Sequence, residues 1–142
     1  MTPQIQKLLN DGMAIPACPL VLDGERRFDE EKQRRLIRYY SAAGAGGLAI
    51  GVHTTQFAIR EPRHNLHKTV LLVAADELDQ LDRSRANPLM RVGGICGRTE
   101  QAVAEAGVAR DLGFHAGLLS LGAMKDASED EIIAHCRAVA GV

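Results

Sequence analysis

The chain has 142 residues, room for one ordinary domain with a real core. Its 17 Lys and Arg against 18 Asp and Glu leave a formal charge of −1, without the basic face that a nucleic-acid partner requires. No apolar run approaches the roughly 18 residues of a membrane span, so neither nucleic acid nor membrane is an expected partner. The first ten residues lack the cationic start and small-residue cleavage site of a secretory signal. Three cysteines, Cys18, Cys96 and Cys136, form no CxxC spacing and read as reduced thiols of a cytoplasmic protein.

In chain order, residues 2–11 predict a short helix with Ile5, Leu8 and Leu9 inward, stopped by Gly12. Residues 14–18 predict a first strand, short or bulged because Pro16 supplies no ladder donor. Residues 20–25 read as a loop. A long helix opens at Asp29, whose carboxyl suits the N-cap, with Glu30 and Glu31 near the positive helix end. Leu36, Ile37 and Tyr40 form its apolar stripe, and Gly44 ends it as a left-handed cap.

The second strand, residues 48–52, is apolar without polar alternation, the pattern of a parallel strand covered on both faces. It opens abruptly into His53-Thr54-Thr55-Gln56. Ligands of parallel α/β folds bind at the carboxyl ends of strands, and two adjacent hydroxyls there suit a carboxylate or phosphate. The alternative is that Thr54 and Thr55 satisfy turn amides and nothing more.

Residues 58–65 predict a loop, and 66–81 a helix with Val70, Val73 or Ala74, Leu78 and Leu81 inward. A third strand follows over 89–95. A helix from Arg98 or Thr99 then turns Ala102, Ala106, Ala109 and Leu112 inward, ending at Gly113. Residues 116–121 predict a fourth strand. Ser128 and Glu131 form a capping box for the last helix, whose stripe is Ile132, Cys136, Val139 and Ala140.

The order is β-α four times, with no hairpin signal. No Gly-rich dinucleotide or phosphate-cradling loop is present, so no cofactor is expected. His53 and Cys96 sit at neighbouring strand mouths, but zinc needs three or four ligands and spacing supplies no third, so no metal is expected either. His64 and His67, three apart, read as solvated surface; His115 falls at a strand start, away from the ligand face. Tyr39 and Tyr40 read as half core and half interface, and Cys136 as a small hydrophobe. Four β-α units are half of an eight-fold barrel, and the chain ends where a fifth strand would begin.

From Ala14 to Val142 the order and spacing resemble the N-terminal half of the dihydrodipicolinate synthase and N-acetylneuraminate lyase family. Cys18-Pro19 stands where the family has Thr-Pro, and Val52-His53-Thr54-Thr55 stands at the family's Gly-Thr/Ser-Thr-Gly-Glu turn. Gly93-Gly94-Ile95-Cys96-Gly97 matches the third strand, and residues 113–128 match the fourth strand and its loop.

The resemblance implies a (β/α)8 barrel, often oligomeric, whose lysine forms a Schiff base with a keto acid such as pyruvate. It places the carboxylate on Thr54 and Thr55. His53, Gln56 and Phe57 replace Gly, Gly and Glu, and Ala123 stands near the family's tyrosine. The Schiff-base lysine is expected beyond Val142, which would leave these 142 residues inactive alone. Lys125 is no substitute, because Asp126 and the acids at 129–131 favour its charged, non-nucleophilic form. The expected partners are a keto acid and either further copies of the chain or the missing C-terminal half. The alternative function is a non-catalytic half barrel that binds small acids or self-assembles.

Overall fold

The computed structural model describes residues 2–55 and 57–142, the side chain of Thr54 excepted. Helix α1 spans Pro3–Asp11, with the Thr2 hydroxyl accepting from the Ile5 amide, and Gly12 follows in the left-handed region. Helix α2 spans Glu30–Ala42 and starts where Asp29 accepts from the Lys32 amide. Gly44, at φ +89°, closes it: the Ala45 amide returns to the Tyr40 carbonyl and the Gly44 amide to Ser41.

Three strands follow, β1 Gly47–Ile50, β2 Met90–Ile95 and β3 Ala116–Leu119, parallel and in that spatial order. Gly47 lies opposite Met90 and Ile50 opposite Gly93; on the other side Val92 faces Ala116 and Ile95 faces Leu119. Helix α3, His67–Asp82, joins β1 to β2, and α4, Thr99–Asp111, joins β2 to β3. Helix α5, Glu129–Ala140, carries the expected capping box at Ser128 and Glu131 and packs on α4. Every residue of β1 is buried, and Leu48 and Ile50 sit with Ile37, Val70, Leu71 and Leu78 in the main core. Each such side chain removed from water stabilises the fold by about 1.5–3 kcal/mol.

Several expectations change. The first of the four strands is reduced to one parallel bridge, Ala17 to Ala49. Pro16 can only accept, from the Ala49 amide, while Cys18 donates back to the Ala49 carbonyl. Gln33, buried on α2, holds the chain just after this short segment. Its Oε1 accepts from the Val21 amide at 2.9 Å, and its Nε2 donates to the Pro19 carbonyl at 3.1 Å. Burial pushes the neighbouring Cys18 thiol up to about 11. A one-bridge hairpin, Leu22 with Phe28, occurs where none was expected; Asp23 nucleates its turn by accepting from the Glu25 and Arg27 amides. On α5 the stripe runs through His135 and Val139, and Ala140 is exposed. Finally, β3 is half covered, with Leu118 54 % exposed.

Candidate functional site

The carboxyl ends of β1 and β2 are brought together by glycine. Gly51, at φ +72°, turns the chain out of β1, and a Cβ on Gly94 would collide with the Gly51 carbonyl. From Gly51 the chain makes a short 3₁₀ turn, His53–Thr55, and a second, Phe57–Arg60. Thr55 is buried, and both its amide, at 2.9 Å, and its hydroxyl, at 2.7 Å, donate to the Val52 carbonyl. Of Thr54 the structure describes the backbone alone, and Gln56 lies outside the described residues.

The second 3₁₀ turn ends on the residue that organises the site. Arg60 reaches back under the loop, and its Nη2 donates to the carbonyls of Gly51, at 3.2 Å, and Gly94, at 3.0 Å. Its Nε donates to both carboxylate oxygens of Glu105, at 2.9 and 3.0 Å. Both side chains are only 8 % exposed. Glu105 comes from α4 and also accepts from the Cys96 amide at 3.1 Å and from Gln101 Nε2 at 2.8 Å. A charged pair this deep is tolerated because its polar atoms are almost all matched. Among the described residues Arg60 Nη1 finds no partner.

His67, expected at the surface, joins Arg60 and Glu105 in this cluster. It occupies the first turn of α3 on the same face as Val70 and Leu71, so the apolar stripe carries it inward. Its Nε2 lies 3.3 Å from the Gly94 carbonyl and 3.7 Å from Glu105. Burial, reinforced by the Arg60 charge, depresses its basicity, so at neutral pH it is an uncharged donor to Gly94. Burial likewise pushes the Cys96 thiol up, which makes it a poor nucleophile. His64 is exposed, as expected.

Two hollows open above this cluster and share Phe57 and Ser120 as a wall. One, of about 230 Å³, is lined chiefly by apolar groups including Val52, Ile95 and Leu119, with His53 at its edge. The other, of about 520 Å³, is lined by Arg60, Glu61, Cys96, Gly97 and Gln101. His53 and Cys96, weighed together as ligands in the sequence, thus line different hollows. No group of three His, Cys, Asp or Glu residues that could hold a metal occurs among the described residues. Lys125 is exposed beyond β3, and Ala123 lines the larger hollow. Among the described residues no helix is long and apolar enough to cross a membrane.

Sequence reasoning missed Arg60, Glu105 and His67. A signal existed for the last two. Glu105 follows Ala102 by three and precedes Ala109 by four, and His67 precedes Val70 by three, so both fall on stripes already assigned to the core.

No protein-family model matches this sequence, and no curated protein sequence matches it. Solved structures do. A dihydrodipicolinate synthase from Agrobacterium tumefaciens is 27 % identical over 91 % of the chain, with a TM-score of 0.72. A putative dihydrodipicolinate synthetase from Pseudomonas aeruginosa gives a TM-score of 0.75 at 18 % identity over 92 %. A prophage protein of the dihydrodipicolinic acid synthase family from E. coli K12, solved in complex with pyruvate, gives 0.74 at 19 % over 91 %. The chain spans about two fifths of these proteins, covering 41 %, 42 % and 41 % of their lengths. The chain resembles, in fold and over an N-terminal half, the structures of the dihydrodipicolinate synthase family.

Proposed function

We propose that these residues form the N-terminal half of a (β/α)8 barrel, four β-α units with residues 14–18 as the reduced first strand. The barrel is an aldolase-type lyase that holds a keto acid such as pyruvate as a Schiff base. The observation that carries this reading is the likeness to dihydrodipicolinate synthase-family structures, one of them solved with pyruvate, together with a polar turn and a hollow at the matching strand mouths.

In this reading the lysine nucleophile comes from outside residues 1–142, and the segment alone forms no Schiff base. The rest of the barrel, or further copies of the chain, covers the exposed side of β3 in the cytoplasm. Thr54 and Thr55 meet the substrate carboxylate. For Thr55 this requires its hydroxyl to rotate away from the Val52 carbonyl, which keeps the Thr55 amide as donor. The existing bond to Val52 favours a second reading, in which Thr55 is only a turn residue and the mouth binds small acids without chemistry.

The test is calorimetric titration of pyruvate into the gene-encoded protein and its Thr55→Val variant, with circular dichroism as folding control. A hydrogen bond to a charged group contributes about 1.5–3 kcal/mol. The variant is therefore expected to bind roughly 10- to 100-fold more weakly. Unchanged affinity with an intact fold would remove Thr55 from the site. Borohydride reduction in the presence of pyruvate is expected to label a lysine outside residues 1–142; a label on Lys125 or another lysine of this segment would contradict the assignment.

A further inference from the structure

Arg60 closes the second 3₁₀ turn of the connection that leaves β1, and its guanidinium returns to the glycine at which that connection begins. The same nitrogen, Nη2, holds the Gly94 carbonyl of β2, while Nε is seated on Glu105 of α4. Glu105 in turn takes the Cys96 amide, where the β2–α4 connection starts. One ion pair therefore fixes the ends of two strands and the starts of the two connections that line both hollows. The geometry points to Arg60 and Glu105 as a positioning pair: together they set the His53–Thr55 turn, Phe57 and the residue 96–97 corner around the space a keto acid would fill. The pair acts through the backbone groups it holds. This inference rests on the function proposed above.

The chemistry requires a planar fork. Arginine presents several donors in fixed directions, so one side chain can serve a carboxylate and two carbonyls together. A lysine can neutralise Glu105 but cannot span all three acceptors. The pair also lies beneath Phe57, whose ring centroid is 5.8 Å from the guanidinium carbon; loss of the fork would free the wall between the hollows.

The experiment compares wild type, Arg60→Lys, and the double variant Arg60→Met/Glu105→Leu. The double variant removes both charges, so the fold is retained even where a lone buried carboxylate would unfold it. Arg91→Lys, at the opposite end of β2, is the control for general destabilisation. Two quantities are read: amide hydrogen exchange at Thr55 and Cys96 relative to Val92 within β2, and pyruvate affinity. In both Arg60 variants Thr55 and Cys96 should exchange about tenfold or more faster than Val92 does, and pyruvate should bind at least about tenfold more weakly. Arg91→Lys should change neither ratio.

Recovery of wild-type exchange and affinity by Arg60→Lys would overturn the proposal, since charge alone would then suffice. A uniform rise in exchange, equal at Val92, would also overturn it, because the pair would be general scaffold. If the wild-type protein does not bind pyruvate, the keto-acid reading fails, and the exchange ratios at Thr55 and Cys96 still decide whether the pair sets the mouth.

Discussion

The two ends of β2 each carry a buried arginine, and they are built differently. At the start of the strand Arg91 donates to Asp79 at 2.6 Å and Asp82 at 2.7 Å, both on the one helix α3. Asp82 also accepts from the Leu89 amide, and His115 accepts from the Arg91 amide. That arrangement ties a helix end to the strand that follows it. At the far end Arg60 draws together a loop, two strand carbonyls and α4, with His67 of α3 alongside. The base is local and anchors one crossover; the mouth is assembled from four separate segments. In parallel α/β folds such a division separates stability from ligand binding.

The sharpest way to break the mouth is to fill the gap between its strands. Gly94→Ala would drive a Cβ into the Gly51 carbonyl, a backbone atom with no freedom to retreat. A loss of about 3 kcal/mol is expected from urea unfolding. Gly117→Ala, on β3, meets only the tip of the Ile95 side chain and should cost clearly less. Equal losses would mean that the close approach of β1 and β2 is not what the mouth depends on.

At the base, Arg91→Met leaves Asp82 half buried without its cation, while the well-exposed Asp79 loses little. About 2 kcal/mol of stability should go, with pyruvate affinity unchanged. A weakened affinity at equal folded fraction would show that the two ends are not independent.

Much of this division was invisible in the sequence, and the reason is physical. Helix limits were legible because the chemistry that sets them is local. Asp29 and Ser128 cap their own helices, and Gly44 and Gly113 adopt the positive φ that closes the preceding ones. The segment at 14–18 was legible in place but not in extent, since a single bridge, Ala17 to Ala49, ties it to the sheet and Gln33 fastens the residues that follow it. The Arg60–Glu105 pair joins residues 45 apart in the chain, and no local pattern names a partner at that distance. What the sequence did carry was the position of polar residues on apolar stripes. Gln33 with Ile37, His67 with Val70 and Leu71, Glu105 between Ala102 and Ala109, and His135 with Val139 all show it. A polar residue at a core position must find a partner, and each of these four leads to a fastening point of the fold or to the mouth. His135 finds Thr99 Oγ1 at 3.0 Å and packs α5 on α4.

A smaller effect belongs to the start of α5. Ser128→Ala removes the acceptor for the Glu131 amide and half of the capping box. About 1 kcal/mol of stability should be lost by thermal or urea unfolding, without effect at the mouth. A larger loss would show that α5 supports the sheet more than its contacts with α4 imply.

The smallest effect is in pH. His67 and His115 both have depressed basicity in the folded chain, chiefly through burial. The unfolded chain therefore binds protons first, so stability is fully present above the ordinary histidine value of about 6.5 and falls as pH drops below it. His67→Gln should flatten that slope in urea midpoints between neutral and mildly acidic pH. An unchanged slope would mean that His67 is not held neutral at the mouth.

The most direct test is to ask which end of β2 feels a keto acid. Pyruvate titrated into the isotope-labelled protein should move the backbone amide resonances of His53, Thr55 and Cys96 and leave those of Arg91 and His115 in place. Shifts at Arg91 and His115, or none at the three mouth residues, would contradict the assignment of the carboxyl ends of β1 and β2 as a keto-acid site.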